Sequence, residues 1–222
     1  MCIEIPKVLL DENCAVGLVE EYLEKDGDGR FRYSGAYFER LGGGGDRPEV
    51  AYQVTAEDLL AVSMLSVRVI RYYALDVLVY RGREISGLLA QVPVDVRLAD
   101  AGADKLIAEG GPAWELWKLL HDIKPPLDRS RLGPVYDSHV ERVLGRTRTH
   151  GTWWSDLRCQ LTKDAALVSE LEAVRTRAGA GAAHLSLLRI FDIMCWMLGG
   201  DRRLSGPKHG RPVLGRECGL CF

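Results

Sequence analysis

Several things are scarce in this chain of 222 residues, and each absence closes a functional class. No apolar run reaches the roughly 18 residues that a membrane-spanning helix needs. The longest candidate, Leu185 to Leu198, is broken by Arg189 and Asp192. No membrane partner is expected, and the first residues show no charged-then-apolar signal pattern, which fits a cytoplasmic protein. Charge of either sign is not in excess. The formal net charge of −2 gives no global attraction to nucleic acid, so any basic footprint has to be local. Histidine is sparse, and His121, His139, His150, His184 and His209 form no H-E-x-x-H or other i, i+4 metal pair. There is no G-x-S-x-G nucleophile elbow. The six cysteines are scattered, which predicts reduced thiols and a cytoplasmic protein. No metal and no cofactor is expected.

What is present reads as helix. Hydrophobic residues make up 47% and charged residues 27%, enough apolar surface to bury a core. Asp11 is placed to cap a helix in which Ala15, Val16, Val19, Tyr22 and Leu23 recur at near-helical spacing. YSGAYFERL (Tyr33 to Leu41) predicts a short amphipathic turn or helix, stopped by Gly42 to Gly45. Thr55, with Asp58 three residues on, is a capping-box variant opening TAEDLLAVSMLSV. Val67 to Tyr80 starts with strand-like alternation, but Ala74 to Tyr80 suit a buried helix, and helix is the reading taken. Ile85 to Val92 is a further short helix ended by Pro93. Pro112 opens AWELWKLLHDI, with Trp114, Trp117 and Leu120 on one face. Thr152 and Asp164 are placed to cap WWSDLRCQL and AALVSELEAVRTR. SLLRIFDIMCWML is apolar nearly all round, as a central bundle helix is, and Gly199 and Gly200 are expected to end it. The prediction is all-α: a single helical domain over 1–200 and a basic, flexible tail over 201–222. The tail carries Arg202, Arg203, Lys208, Arg211 and Arg216 against Asp201 and Glu217.

Three features have the residue types for chemistry or binding. LGGGGDRPEV has glycines that let backbone N–H groups approach an anion. It lacks the GK[ST] ending of a phosphate-binding loop, so the simpler reading is a turn between helices. Cys218 and Cys221 have the spacing of half a zinc site, but no second C-x-x-C exists to complete four ligands. From Arg129 to Arg158 there are six Arg against Asp137, Glu141 and Asp156, with Trp153 and Trp154 interleaved. Arg beside aromatics suits phosphates and unstacked bases. The competing reading is one Trp in the core and a solvated Arg face.

The segments YSGAYFERLGGGGDRPEV, TAEDLLAVSMLSV, PVYDSHVERVLG and LSLLRIFDIMCWML resemble an uncharacterised actinobacterial family marked by tetraglycine–Asp-Arg-Pro-Glu. A more distant resemblance is to the helix-hairpin-helix DNA glycosylases. It rests on the order DLLAVSMLS, LWKLLHDI, PVYDSHVERVLGRT. This resemblance implies a glycosylase-like helical core and matches Asp137 to the family's catalytic Asp, Ser138 and His139 to the residues that follow it, and Arg142 to a basic position. The pattern departs at the hairpin. Only HDIKPPLDRSRL lies between Leu120 and Gly133, too short for two hairpin helices, and its one lysine, Lys124, precedes a Pro pair. The phosphate-clamping hairpin and a nucleophilic lysine are therefore unrecognisable, and glycosylase catalysis is not expected.

The sequence thus points to a non-catalytic nucleic-acid-associated module, with Arg142, Arg146, Arg148 and Arg158 on phosphates and Trp153 or Trp154 for stacking. The alternatives are a protein-interaction module working through the tail or the glycine loop, and an enzyme acting on nucleic acid through Asp137. Asp137 is also placed to cap the helix carrying Val140, Val143 and Leu144 on one face.

Overall fold

A computed structural model describes residues 11–41, 51–65, 69–123, 140, 143–144 and 153–200. The elements are helical throughout. Helix α1 spans Glu12–Tyr22, followed by a 3-10 helix at Ser34–Leu41. Helix α2 is Ala56–Met64, and α3 is Arg71–Leu75, which runs into a π turn at Asp76–Tyr80. Then come α4 (Gly82–Leu89), α5 (Ala103–Ile107) and α6 (Pro112–Asp122). Helices α7 (Trp153–Lys163), α8 (Ala165–Arg177) and α9 (Leu187–Gly200) complete the set. The described residues contain no β-strand, only an isolated antiparallel bridge between Lys25 and Phe31. The all-α, single-domain expectation holds.

Local chemistry sets the helix starts. The Asp11 carboxylate accepts from the Cys14 N–H at 2.8 Å, and Asp164 accepts from the Ala166 and Leu167 N–H groups. At Thr55 the capping box is complete: its hydroxyl accepts from the Asp58 N–H while Asp58 accepts from the Thr55 N–H at 2.7 Å. Each such cap contributes about 1 kcal/mol by satisfying donors that have no partner within the helix.

Two apolar clusters organise the packing. The larger joins Val16, Val19 and Tyr22 of α1, Leu157 and Leu161 of α7, Leu167, Leu171 and Val174 of α8, and six buried side chains of α9. Helix α9 sits against α1 and α8, the central place its all-round apolar character predicts. Val140 and Leu144 are buried in the same cluster and Val143 packs on it. The smaller cluster gathers Leu59 of α2, Val77 of the π turn, Ile85 of α4 and Leu119 of α6.

Several boundaries differ from the sequence reading. Gly199 and Gly200 are themselves helical, the last residues of α9, where the sequence reading placed the stop. A glycine costs a helix only about 1 kcal/mol, and burial such as that of Gly199 offsets a penalty of that size. Helix α4 begins at Gly82, three residues earlier than expected, and α5 has too few residues to show periodicity. The segment 74–80 is helical but not buried: Leu75, Val79 and Tyr80 face solvent, and Val77 is its one fully buried residue. The reduced-thiol expectation is corrected at Cys159, which is disulfide-bonded, whereas Cys14 and Cys195 remain thiols. Folding brings thiols together regardless of their spacing in sequence.

Candidate nucleic-acid interface and a buried arginine cluster

Of the residues singled out in sequence, Trp153, Trp154 and Arg158 fall on α7. Asp137, Arg142, Arg146 and Arg148 lie outside the described residues, as do the glycine loop and the tail. Leu157 and Leu161 anchor α7 to the larger cluster, and Asp156, just before Leu157, is buried as well. Both Trp rings pack on that cluster and keep part of their surface open. The helix therefore presents two neighbouring indoles at its first turn, where the partial positive charge of the helix end lies.

Arg158 is placed differently. Its Nη1 donates to the Leu98 carbonyl at 2.8 Å, and Nη2 lies 3.9 Å from Asp104. The side chain is largely buried. It fastens the 93–102 turns and α5 to α7, so its guanidinium is already engaged within the chain.

The densest polar arrangement involves residues that the sequence reading passed over. Arg189 enters the contact between α9, α1 and the 3-10 helix. Its Nη2 donates to the Tyr22 hydroxyl at 2.8 Å and to the Gly35 carbonyl at 3.0 Å. Nη1 donates to Asp192, one turn along the same helix. Nε lies 2.9 Å from Glu39, an ion pair whose N–H direction misses hydrogen-bond alignment. The side chains of Arg189, Glu39 and Asp192 are only 11%, 7% and 12% exposed. The guanidinium also lies 5.5 Å from the Tyr22 ring centre and 5.4 Å from that of Phe38. Tyr22 in turn stacks on Tyr33 at 5.5 Å and meets Trp196 edge-on at 6.0 Å.

Electrostatics follow from this burial. Desolvation pushes the Tyr22 hydroxyl up to about 12, against the lowering pull of Arg189. For Arg189, burial opposes the charge, but Tyr22, Asp192 and Glu39 more than offset it and the net shift is upward. A neutral Tyr and a guanidinium already matched by two carboxylates make a poor base and a poor anion receptor. The cluster is a fastening between the 3-10 helix and the core. Gly35 allows it to form, since a Cβ there would land on the Tyr22 hydroxyl. The sequence did contain one signal: Arg189 and Asp192 are an i, i+3 ion pair inside an otherwise apolar helix. Such a pair inside a core needs further hydrogen-bond partners for the donors and lone pairs it leaves over. Glu39, 150 residues earlier, was invisible to spacing.

Among the described residues no group of three or more His, Cys, Asp or Glu could hold a metal ion, and no helix is long and apolar enough to cross a membrane. A model of a family of unknown function, DUF6308, matches residues 15–199, and the chain belongs to that family. No curated protein and no solved structure matches it.

Proposed function

We propose that this member of DUF6308 is a non-catalytic nucleic-acid-associated module that engages single-stranded regions at the start of α7. The observation that carries the reading is the pair Trp153–Trp154. Two adjacent indoles are held by the core beneath them, retain open surface, and lie at a helix N-terminus directly after the arginine-rich run. Stacking of an unpaired base on an aromatic ring is worth about 1–3 kcal/mol and tolerates any sequence. Arg142, Arg146 and Arg148 supply the phosphate contacts in this reading, and Arg158 positions the helix without touching the ligand. Asp137 has no catalytic part in this reading, since the glycosylase comparison lacks its hairpin.

The test is fluorescence anisotropy with labelled single-stranded DNA, single-stranded RNA and duplex DNA at low salt. Expected is binding to single strands, weakened about tenfold or more by Trp154→Ala, in line with one lost stacking contact. Absence of binding to every probe at low salt refutes the reading. A second reading, a protein-interaction module, is favoured by the solvent-facing apolar residues of α3 and the π turn.

A further inference from the structure

Cys159 is half-buried on α7 and disulfide-bonded, while Cys14 and Cys195 are thiols. Its partner is therefore Cys2, Cys218 or Cys221. The helix directions discriminate between them. Asp164 is the corner between α7 and α8, so Cys159, just over one turn before it, lies at the N-terminal end of α8. Helices α8 and α9 pack along each other as a hairpin. The turn between them is short, and Arg175 near the end of α8 donates to the Leu185 carbonyl just before α9. Helix α9 thus runs back along α8 and reaches Gly200 at the end where Cys159 lies. The start of α1 is at the other end. Arg177, the last residue of α8, donates to Asn13 at 2.9 Å and pairs with Glu12 at 3.0 Å. With 13 residues, α8 is about 20 Å long. Cys2, nine residues before Asp11, reaches at most about 30 Å, and most of that would retrace α8. Cys218, 18 residues beyond Gly200, starts from the near end with about 60 Å of reach.

We propose that Cys159 is bonded to the C-terminal pair Cys218–Gly–Leu–Cys221, and that this bond is a redox-responsive tether between α7 and the basic tail. The pair leaves one thiol spare beside the bonded sulfur, so thiol–disulfide exchange is internal to the chain. The spare thiolate attacks the bonded tail sulfur, and the Cys218–Cys221 bond forms. The bond to Cys159 breaks, and Cys159 leaves as a thiolate that takes up the proton the attacker lost. No electron is gained or lost. A thiol held so close has an effective concentration in the millimolar range, which makes the tether labile. Opening frees Arg202, Arg203, Lys208, Arg211 and Arg216 from α7, the helix that carries Trp153 and Trp154. The pairing and its exchange do not depend on the nucleic-acid reading.

Tryptic digestion of the full chain without reductant, after free thiols are blocked with N-ethylmaleimide, tests the pairing by mass spectrometry. Trypsin cuts after Lys7, Arg158, Lys163 and Arg216, so the candidates fall in different peptides. Cys2 is in 1–7, Cys159 in 159–163, and Cys218 and Cys221 together in 217–222. Expected is 159–163 joined to 217–222, separating on reduction. Peptide 159–163 joined to 1–7, or found unjoined, overturns the proposal. In Cys159→Ser, 217–222 should carry the internal Cys218–Cys221 disulfide, and a dithiol there overturns the exchange step. Of Cys218→Ser and Cys221→Ser, the variant that keeps the tether lacks the spare thiol. In about 0.1 mM reduced glutathione its tether should open about tenfold or more slowly than that of the wild type. Equal rates overturn the exchange step.

Discussion

Replacing Arg189 by Met should be among the most damaging single changes available in the described structure. The guanidinium joins four partners: the Tyr22 hydroxyl, the Gly35 carbonyl, Asp192 and Glu39. Methionine keeps most of the volume, so cavity formation adds little and the electrostatic loss stands almost alone. Two nearly buried carboxylates are left facing each other without a cation. Removing one partner of a buried ion pair costs about 3–5 kcal/mol. In a domain of this size 1 kcal/mol moves Tm by about 2–4 °C, so a fall of roughly 10 °C is expected. Glu39→Gln leaves the guanidinium one carboxylate and a neutral acceptor, and should cost less, about 1–2 kcal/mol. The decisive companion is the triple change Arg189→Met, Glu39→Leu, Asp192→Leu. With no charge left to strand, it should be clearly more stable than Arg189→Met alone. Urea and thermal unfolding followed by circular dichroism read all three. If Arg189→Met lowers stability by less than about 1 kcal/mol, a typical surface value, the cluster is not the fastening described here.

Further expectations use other residues. Gly35→Ala should destabilise by about 1–3 kcal/mol, because the added methyl meets the Tyr22 hydroxyl; combining it with Tyr22→Phe should recover part of the loss, and no recovery would place the clash elsewhere. The Tyr22 hydroxyl titrates near 12 when folded and near 10.0 when unfolded, so the unfolded chain releases its proton first. Its stabilisation is full below pH 10, declines between pH 10 and 12 by roughly 2–3 kcal/mol, and should vanish from the stability profile of Tyr22→Phe. Arg158→Ala should cost about 1–2 kcal/mol in stability yet leave single-strand affinity unchanged within about twofold; a tenfold affinity loss would make it a direct contact. Alkylation of the denatured, unreduced chain should label no more than four of the six cysteines, because Cys159 and its partner are bonded, and six labels would contradict the disulfide.

Much of the helical framework was legible in sequence because its signals are local. Asp11, Thr55 and Asp164 cap where their spacing to the first helical turn requires. The apolar character of α9 correctly placed it at the centre. What spacing could not show is which distant residues meet. Arg189 and Asp192 read as interruptions, and only the fold brings Glu39 and Tyr22 to them. Exposure was misjudged on 74–80 for a related reason. A helix with apolar residues on several sides looks buried, but the packing of Leu59, Ile85 and Leu119 covers only the Val77 side. At the candidate interface the aromatic and basic composition was legible. The commitment of Arg158 to the Leu98 carbonyl, 60 residues away, was not.

The salt dependence of single-strand binding tests the central claim most directly. Three arginines, Arg142, Arg146 and Arg148, neutralising three phosphates should give a slope of about −2 in log affinity against log salt. Arg146→Ala should lower its magnitude by about 0.7. Binding that is absent, or that shows no salt dependence and no response to Arg146→Ala or Trp154→Ala, would contradict the proposal that this protein is a nucleic-acid-associated module.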